Sequence, residues 1–450
     1  MESADRQKTF AIYTLGCKVN QYDSEAIARQ LRGLGLRQVA FGEQADAYVV
    51  DTCTVTAEAD RKSRKMVHRA LRLQEDAVVA VTGCAPAWDA ERFSRLTGVR
   101  LVTGNEGKSG LAAAIAEALG VSPLCPAPTD GGLAVSAGVT MGTTSSTPRA
   151  RAYLKVQDGC EHGCSYCIVP LVRGPERSKP IGDVVEEARG RLREGFRELV
   201  VTGVRLGSYR DGNGTARSSL ASLLRELSKL DGLTRIRLSS LDPPDLCLEL
   251  VQTIASLPKV CNHVHLPLQS GDSEILAAMR RGYEADEFRA AVAALRQAIP
   301  GVALTTDVMV GFPGETEAQF ENTVKVCREC AFSRLHVFQY SKRPGTAAAD
   351  RAEQVPEPVK RARSARLRRE GQDLSDAFAR QFVGRTVAVL TEQYDSETSD
   401  VEGLTEHYVR VRARASRCCP GELVAVAVES ARQGALQGKE VRADHPGEQH

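Results

Sequence analysis

Between residues 8 and 120, short apolar runs alternate with amphipathic segments. The runs TFAIYTLGC, ADAYVVDTC and DAVVAVTGC are typical of buried strands, while DSEAIARQLRGLG and AEADRKSRKMVHRALRL have the apolar spacing of helices. Strands that alternate with helices favour a parallel sheet with helices on its faces. We therefore predict an N-terminal parallel-sheet α/β domain over residues 8–120.

A second alternating series occupies residues 149–375, after a segment at 121–148 that is rich in Pro, Gly, Ser and Thr and is typical of a linker. Its predicted strands are AYLKVQ, RELVVTGV, RIRLSS, HVHLPLQ, ALTTDVMVGF and RLHVFQY. Six strand–helix units are fewer than the eight of a complete (β/α) barrel. The pattern predicts a partial (β/α)6 barrel.

The pattern changes again towards the C-terminus. The stretch PEPVKRARSARLRREGQDLSDAFARQFVG predicts one long basic helix, and RTVAVLTE, TEHYVRVRAR and GELVAVAVE predict short strands separated by turns. We predict a small all-β barrel over residues 380–440. The last stretch, VRADHPGEQH, is predicted to be a disordered tail.

Composition narrows the function classes. The 450 residues are 42% hydrophobic and 26% charged, with 59 basic and 57 acidic side chains, so any contact with nucleic acid must depend on local basic patches. No apolar run approaches the roughly 20 residues that cross a bilayer, and the N-terminus lacks signal-peptide features. We expect a cytoplasmic protein without membrane association. In that reducing compartment, clustered members of its 13 cysteines indicate metal binding or catalysis rather than disulfides.

The stretch QDGCEHGCSYCIVP places Cys160, Cys164 and Cys167 on one loop after the first barrel strand. Three thiolates can hold three corners of a four-iron cube and leave one iron open to another ligand. A zinc site with His162 as fourth ligand needs ligands one residue apart, which tetrahedral geometry opposes. Buried, unliganded thiols are a second alternative, although the glycines around them favour a loop over a core. Barrel chemistry lies at this end of the strands.

This spacing, at this place in a partial barrel, resembles the radical S-adenosylmethionine superfamily. The resemblance implies that the open iron binds S-adenosylmethionine and that one electron cleaves it to methionine and a 5′-deoxyadenosyl radical. It also implies a set of cofactor-facing residues. By that resemblance these are Tyr166, Thr202, Gly203, Ser239 and Gln269.

Three further cysteines each end an apolar strand: Cys17 in TLGC, Cys53 in DTC and Cys84 in VTGC. Because the carboxyl ends of neighbouring parallel strands converge on one crevice, the three thiols are able to meet there. The alternative is that they are ordinary buried cysteines. The motifs TLGCKVNQYDSEA and DTCTVT closely resemble the N-terminal domain of the methylthiotransferases. In that family three such cysteines hold a second [4Fe–4S] cluster, which carries the sulfur to be inserted.

The resemblance covers residues 9–438 and includes a C-terminal barrel of the TRAM type. It implies a tRNA methylthiotransferase that converts an adenosine C2–H to C2–SCH3 with two [4Fe–4S] clusters and S-adenosylmethionine. GCKVNQYDSEA and HLPLQSGDSEIL most resemble the branch that acts on N6-threonylcarbamoyladenosine at tRNA position 37. The isopentenyladenosine branch usually has Gln-Met-Asn at positions 18–20, and the branch that modifies a ribosomal-protein aspartate usually has Pro-Lys-Asn. These two substrates, and a non-enzymatic iron–sulfur RNA-binding protein, remain the alternatives.

The expected partners are the anticodon stem-loop of tRNA and a flavodoxin- or ferredoxin-like electron donor, with the chain itself a monomer. Alternation along HYVRVRARASR predicts that an aromatic ring and three guanidinium groups share one sheet face, which suits base stacking and phosphate contacts. A solvated charged face is the simpler interpretation. The residues concerned are Tyr408, Arg410, Arg412 and Arg414.

Two other motifs are predicted to have structural roles. Thr316 and Gln319 have the spacing of a helix capping box. Cys327 and Cys330 lie on a predicted helix without a second cysteine pair and are interpreted as packing residues.

Overall fold

The computed structural model describes residues 6–121, 150–211, 218–415 and 418–441. The predicted linker, apart from its first residue, and the predicted tail, apart from Val441, lie outside these ranges. In the described part of the chain no helix combines the length and apolar character needed to cross a membrane.

The N-terminal domain has the predicted parallel sheet, in the order β2–β1–β3–β4–β5. Apolar side chains on both faces of this sheet form two separate cores under the flanking helices. Both cores are explained by the unbroken apolar runs that the sequence shows. The elements are β1 (Thr9–Thr14), α1 (Lys18–Gly33), β2 (Arg37–Gln38), β3 (Ala47–Thr52), α2 (Ala57–Leu73), β4 (Val78–Gly83), α3 (Cys84–Trp88), α4 (Ala90–Ser94), β5 (Val99–Val102) and α5 (Leu111–Ala118).

The central domain is the predicted partial barrel. Its first part, up to the third barrel strand, contains β6 (Arg151–Lys155), β7 (Gln157–Asp158), α6 (Val169–Arg173), β8 (Arg177–Ser178), α7 (Ile181–Arg193), β9 (Glu198–Thr202), β10 (Arg210–Asp211), β11 (Ser218–Ser219), α8 (Leu220–Ser228) and β12 (Arg235–Leu238). The rest contains α9 (Leu248–Ser256), β13 (His263–His265), α10 (Ser273–Met279), α11 (Ala285–Ala298), β14 (Ala303–Val310), α12 (Glu317–Glu329), β15 (Arg334–Gln339) and α13 (Glu357–Arg380).

The barrel strands form two parallel sheets, β6–β9–β12 and β13–β14–β15. Parallel bridges from Ile236 to Val260 and from Ser240 to His265 join the sheets, which gives the order β6–β9–β12–β13–β14–β15. The six strands are those that the sequence predicts. The predicted capping box is also confirmed, because the side chains and backbone N–H groups of Thr316 and Gln319 bond reciprocally at the start of α12. Cys327 and Cys330 are buried in the barrel core.

The long basic helix is confirmed as α13, and the C-terminal domain is a closed barrel of five strands rather than the three that the sequence indicates. The two missed strands carry few β-branched or aromatic residues, which weakens their sequence signal. The strands are β16 (Thr386–Asp395), β17 (Asp400–Thr405), β18 (Arg410–Arg414), β19 (Leu423–Arg432) and β20 (Ala435–Glu440).

Buried polar contacts join the three domains. Arg237, 1% exposed, donates to the Glu198 carboxylate at 2.7 Å and to the backbone carbonyls of Thr405 and Glu406 in the small barrel at 3.1 and 2.9 Å. On the other side, Lys155 of β6 pairs with Asp23 of α1 at 2.5 Å. The partial barrel therefore contacts both other domains through buried polar side chains.

Candidate cluster and cofactor sites

The first candidate site is the loop that follows β6 and β7 and carries Cys160, Cys164 and Cys167. Three N–H groups point at its sulfurs: the backbone of His162 at 3.4 Å from Cys160 Sγ, the backbone of Val169 at 3.4 Å from Cys167 Sγ, and the guanidinium of Arg281 at 3.3 Å from Cys164 Sγ. Hydrogen bonds of this kind stabilise thiolates and influence the potential of an iron–sulfur cluster. The loop therefore offers three sulfurs in a setting suited to cluster ligation.

The neighbours of this loop hold it in position. Ser165 donates from its backbone to the Met279 carbonyl at 3.0 Å and from its hydroxyl to the Ala278 carbonyl at 2.8 Å, both at the end of α10. Nε2 of His162 lies 3.2 Å from the Arg281 carbonyl oxygen. The His162 ring is thus engaged with backbone, which does not favour the zinc alternative.

Burial is the main cause of the raised pKa values of Cys160 and Cys167. Burial raises the pKa of Cys167 to about 12, and it also raises the pKa of Cys160 above its ordinary value, although the His162 backbone N–H acts in the opposite direction. A buried thiol with a raised pKa is a poor nucleophile. It becomes a good ligand when a metal ion stabilises its thiolate. These directions fit cysteines that bind a cluster better than cysteines that attack a substrate.

A cavity of about 310 Å³ lies in front of the loop, at the carboxyl ends of the barrel strands. All three loop cysteines line it, together with Tyr166 and Gln269. Thr202, Gly203 and Ser239 are not part of its lining, whereas the adjacent Val204 and Ser240 are. Val55 and Thr56 of the N-terminal domain complete the wall, so the cavity lies between two domains.

Two predicted cofactor-facing residues present polar atoms without a partner. Gln269 Oε1 and Ser239 Oγ are buried and have no hydrogen-bond partner among the described residues, and Gln269 adopts the left-handed backbone conformation with φ 63°. Unsatisfied buried polar atoms cost free energy, so they indicate a missing ligand. Thr202 is buried at the end of β9, and a Cβ at Gly203 would lie 2.8 Å from Gln157 Oε1. Gly203 therefore permits a close approach of Gln157 to this turn.

Sequence reasoning left two charged residues without a role: one interacts with the other, which lines the cavity. Asp307 of β14 lines it, with His265 Nε2 at 3.4 Å from Oδ1. Burial acts to raise the pKa of Asp307, but the hydrogen bond and charge of His265 hold it below its ordinary value. Lys18, the first residue of α1, is half-buried and interacts electrostatically with Asp307 and Tyr408. Its ammonium forms no ion pair with a carboxylate of the described residues.

The second candidate site is assembled at the carboxyl edge of the N-terminal sheet. Cys17 precedes α1 and is exposed, Cys53 follows β3 and is 8% exposed, and Cys84 begins α3 after β4 and is 3% exposed. Each of the three thiols interacts electrostatically with another of the set. A Cβ at Gly16, where φ is +105°, would lie 3.2 Å from Cys53 Sγ, so this glycine permits the Cys17 loop to approach Cys53.

Burial also controls the thiols of this second site. It raises the pKa of Cys53 to about 12 and raises the pKa of Cys84 above its ordinary value. The positive charge of Arg173 and an amide N–H of Asn105, 3.6 Å from Cys84 Sγ, favour the Cys84 thiolate. Arg173 comes from α6 of the barrel domain, so the barrel supplies a cation to the sheet-edge site.

A buried ion network lies beneath the second site. The Lys108 ammonium is 3.0 Å from both Asp23 and Asp51, which is 0% exposed. Burial acts to lower the pKa of Lys108, but the two carboxylates raise it above its ordinary value. Asp51 is the penultimate residue of β3 and Asp23 lies on α1, so the network fixes the elements that position Cys17 and Cys53.

The two cysteine sets face each other across the domain interface. Cys84 packs against Ile168 and Val172 in one small apolar cluster, and Ile168 directly follows Cys167. Asn105 bridges the domains further by donating to the Val172 carbonyl at 2.8 Å. The structure therefore brings all six predicted cysteines to one junction, although each set is separate.

The two donor sets suit an iron–sulfur cluster better than a single metal ion. Among the described residues, no three His, Cys, Asp or Glu side chains converge closely enough for a single metal ion. A four-iron cube instead binds each thiolate through a different iron, which requires wider separation. Three sulfurs with N–H donors stand beside a cavity that is lined by Gln269, whose Oε1 has no partner among the described residues. This arrangement fits a cluster with an organic ligand.

The predicted position of Tyr408 is wrong. The strand begins at Arg410, and Tyr408 has the left-handed conformation with φ 63°, which breaks the alternation. Its ring packs 4.9 Å from that of His263 and 5.0 Å from the Arg237 guanidinium, in the interface with the barrel. Arg410, Arg412 and Arg414 do share one exposed face of β18, where Arg412 pairs with Asp400 at 2.7 Å.

Comparison with known proteins identifies the family. The radical SAM superfamily profile matches residues 154–327, and that of the uncharacterized protein family UPF0004 matches residues 9–104. A threonylcarbamoyladenosine tRNA methylthiotransferase MtaB of Bacillus subtilis (strain 168) is 36% identical over 96% of each chain. This chain belongs to the radical S-adenosylmethionine methylthiotransferases. It is therefore a sulfur-group transferase that uses S-adenosylmethionine and [4Fe–4S] clusters, as the sequence predicts.

Other relatives in this family have different substrate names. A tRNA-2-methylthio-N(6)-dimethylallyladenosine synthase of Acetivibrio thermocellus is 34% identical over 97% of this chain and 92% of its own. A ribosomal protein uS12 methylthiotransferase RimO of Anaeromyxobacter sp. is 36% identical over 96% and 93%. The fold also matches a solved structure of the radical S-adenosylmethionine methyltransferase TsrM from Kitasatospora setae, with TM-score 0.54, 16% identity and coverage of 76% and 77%.

Sequence reasoning missed several residues that contact these sites. Arg281 and Arg173 reach a cysteine from distant parts of the chain, and Lys18 reaches Asp307 across the domain interface. Arg281 lies in the stretch MRRGY, residues 279–283, and Lys18 directly follows Cys17. Their closeness in sequence to recognisable motifs was the signal by which they could have been predicted to contact the sites.

Proposed function

We propose that this methylthiotransferase inserts a methylthio group at C2 of N6-threonylcarbamoyladenosine 37 in tRNA. The observation that carries the proposal is the junction at which Cys84 packs on the segment that follows Cys167. Insertion of sulfur at an unactivated carbon needs a radical source and a sulfur source beside the same base. Two sulfur-rich sites at one domain junction, one of which lines the interdomain cavity, meet that need.

In this proposal Cys160, Cys164 and Cys167 hold the radical-generating cluster, and Cys17, Cys53 and Cys84 hold the sulfur-carrying cluster. Tyr166, Thr202, Gly203, Ser239 and Gln269 form the surroundings of S-adenosylmethionine. When bound, these groups supply the electron, the radical, the methyl group and the sulfur. The role of the protein is to orient them and to exclude water, since no side chain acts as a general acid or base.

The charge of Lys18 supports the threonylcarbamoyl substrate over the isopentenyl one. A threonylcarbamoyl group carries a carboxylate, whereas an isopentenyl group is apolar. Asp307, which lines the cavity, interacts with the Lys18 ammonium electrostatically but forms no ion pair with it, and burial lowers the pKa of Lys18 below its ordinary value. An anionic substituent would favour the charged form of Lys18, whereas an apolar one would not. The Bacillus subtilis relative with the threonylcarbamoyladenosine name agrees with this choice.

The proposal assigns one task to each domain. Residues 8–120 carry the sulfur cluster, residues 149–375 form the radical barrel, residues 380–440 form the TRAM-like barrel that binds RNA, and residues 121–148 are the linker. Arg410, Arg412 and Arg414 contribute to RNA binding, and Tyr408 supports the interface behind them. The proposed partners are the anticodon stem-loop and a flavodoxin- or ferredoxin-like reductase, for a monomer that acts on tRNA in the cytoplasm.

A substrate competition tests the proposal. Reconstituted enzyme receives reductant, S-adenosylmethionine and equal amounts of anticodon stem-loops that carry either N6-threonylcarbamoyladenosine or N6-isopentenyladenosine, together with ribosomal protein uS12. Mass spectrometry should detect the methylthio product on the threonylcarbamoyl nucleoside alone. A product on either of the other substrates would contradict the assignment. The Cys17/Cys53/Cys84→Ala variant is the negative control, because without the sulfur-carrying cluster it should form no methylthio product.

A further inference from the structure

A second interdomain cavity, here called the basal cavity, lies at the opposite end of the barrel from the cysteine loop. It has a volume of about 430 Å³ and is enclosed by barrel strands β14 and β15, helix α13 and the small β-barrel. Thr305 of β14 lines it, while Asp307 and Met309 of the same strand line the cluster cavity. Asp307 and Met309 are two and four residues beyond Thr305, so the two cavities are separated by about 7–13 Å along β14.

The basal cavity is strongly cationic. Arg151, Arg334, Arg368 and Arg410 line it together with His407, and no Asp or Glu is among its lining residues. Such a set comes from three parts of the fold: the barrel strands, the connecting helix and the small barrel. A concave site with four guanidinium groups and no carboxylate in its wall attracts anions.

Two of the four arginines remain available to a ligand. Arg151 pairs with Glu392, and Arg410 pairs with Glu402 at 3.3 Å, from outside the cavity lining. Among the described residues, the Arg368 side chain donates only to the Val337 carbonyl, at 3.2 Å, and the Arg334 side chain forms no hydrogen bond or ion pair. Both side chains are exposed. Two exposed guanidinium groups that lack carboxylates are well suited to phosphate, which they bind in bidentate geometry.

We infer that the basal cavity binds backbone phosphates of the RNA substrate through Arg334 and Arg368. This inference rests on the proposed action on tRNA. A single strand carries one phosphate per ~3.4 Å of helix axis, so a separation of about 7–13 Å corresponds to about two to four stacked nucleotides. The basal cavity thus holds the strand a few nucleotides from the base in the cluster cavity, and it fixes the register in which that base is presented.

The test compares two doubly substituted enzymes that lose the same charge. One is Arg334→Gln/Arg368→Gln. The matched control is Arg328→Gln/Arg366→Gln, whose arginines also lie on the barrel exterior but pair with Glu370 and Glu321. Affinity for a tRNA anticodon stem-loop is measured for the cluster-loaded enzymes over a range of salt concentrations. Iron content and cleavage of S-adenosylmethionine without RNA show whether each variant is correctly folded.

The basal-cavity variant should bind RNA about tenfold more weakly, and its salt slope should fall by about 0.7 for each phosphate that is no longer neutralised. The control variant should bind like the wild type, and Arg334→Lys/Arg368→Lys should recover part of the affinity. Equal affinity and equal slope in wild type and basal-cavity variant would overturn the inference. So would tight binding of inorganic phosphate that leaves RNA affinity unchanged, since the cavity would then serve a free anion. A wild-type enzyme that binds no tRNA would instead overturn the proposed function.

Discussion

The two cysteine sets reach the same junction by different routes. Cys160, Cys164 and Cys167 lie on one loop, and the backbone of that loop itself donates hydrogen bonds to two of its sulfurs. Cys17, Cys53 and Cys84 come from the ends of three elements and meet only because β1, β3 and β4 are neighbours in one parallel sheet. The loop set is therefore local in the chain, whereas the sheet-edge set depends on the tertiary structure of a whole domain.

The surroundings of the two cysteine sets also differ: the sheet-edge set has partners from two domains, whereas the loop set has its partners within one domain. The sheet-edge set lies above the buried Lys108, Asp23 and Asp51, and it receives a cation, Arg173, from the barrel. The loop set receives its one side-chain donor, Arg281, from within its own domain. We conclude that damage to the N-terminal fold should remove the sulfur-carrying site selectively, while the radical site should persist.

The largest expected effect follows from removal of either set. Wild-type protein prepared without oxygen should contain about eight irons, and each triple Cys→Ala variant should contain about four. Loss of the loop set should abolish cleavage of S-adenosylmethionine. Loss of the sheet-edge set should preserve that cleavage and abolish methylthio transfer. A wild type with about four irons that all depend on the loop set would show that Cys17, Cys53 and Cys84 are packing residues.

The next effect comes from the ion network beneath the sheet-edge set. Lys108→Met leaves the buried Asp51 without its cation and leaves Asp23 with Lys155 as its close cation, which costs about 3–5 kcal/mol of folding free energy. We expect a lower unfolding temperature and loss of the sulfur-carrying cluster, with the radical cluster retained. Calorimetry and iron analysis provide the measurements. Lys65→Met, on the exposed face of α2, is the control, and equal loss of both clusters in Lys108→Met would refute the independence of the two sites.

Asp158 pairs with two cations of the barrel, Lys155 and Arg173, that also contact Asp23 of the N-terminal domain. The stability of the interface between the two regions should therefore depend on pH. Arg173 Nη1 lies 2.8 Å from the Asp158 carboxylate and Lys155 Nζ lies 3.1 Å away. Burial acts to raise the pKa of Asp158, but these two cations lower it to about 2. A lowered carboxyl pKa adds stability above the unfolded-state value of about 4, and this contribution disappears as the pH falls towards 2.

Asp158→Asn should therefore lower stability by about 2 kcal/mol at pH 7. The difference from wild type should shrink between pH 4 and pH 2. Urea unfolding of the cluster-free proteins at several pH values measures this difference in the free energy of unfolding. Asp231→Asn, at an exposed position, is the control. A difference that stays constant with pH would show that the substitution acts through packing.

Features that depend on residues close together in the chain could be predicted from the sequence. The six barrel strands and the capping box at Thr316 depend on neighbouring residues, so their periodicity and spacing reveal them. The loop cysteines are equally local. The sheet-edge cysteines could be predicted to converge only because β-α alternation already implied a parallel sheet.

Features that depend on long-range contact were missed or misplaced. Alternation placed Tyr408 on an exposed strand face, but no local signal shows its left-handed backbone or its packing on His263. The strands β17 and β20 lack a strong pattern because closure of the barrel, rather than their composition, pairs them. Arg281 reaches Cys164 from more than a hundred residues away, which no spacing rule can anticipate.

Arg281 provides the finest test of the loop site. Its guanidinium donates to Cys164 Sγ and pairs with Asp242, and it is 6% exposed, whereas the preceding Arg280 is exposed. Arg281→Gln should leave the iron content unchanged, lower the cluster potential because a donor to sulfur is removed, and slow S-adenosylmethionine cleavage about tenfold. Arg280→Gln should change none of these, and Arg281→Lys should restore part of the potential. An unchanged potential in Arg281→Gln would mean that this arginine only packs against the loop, and the backbone donors of His162 and Val169 would then be sufficient for the local site.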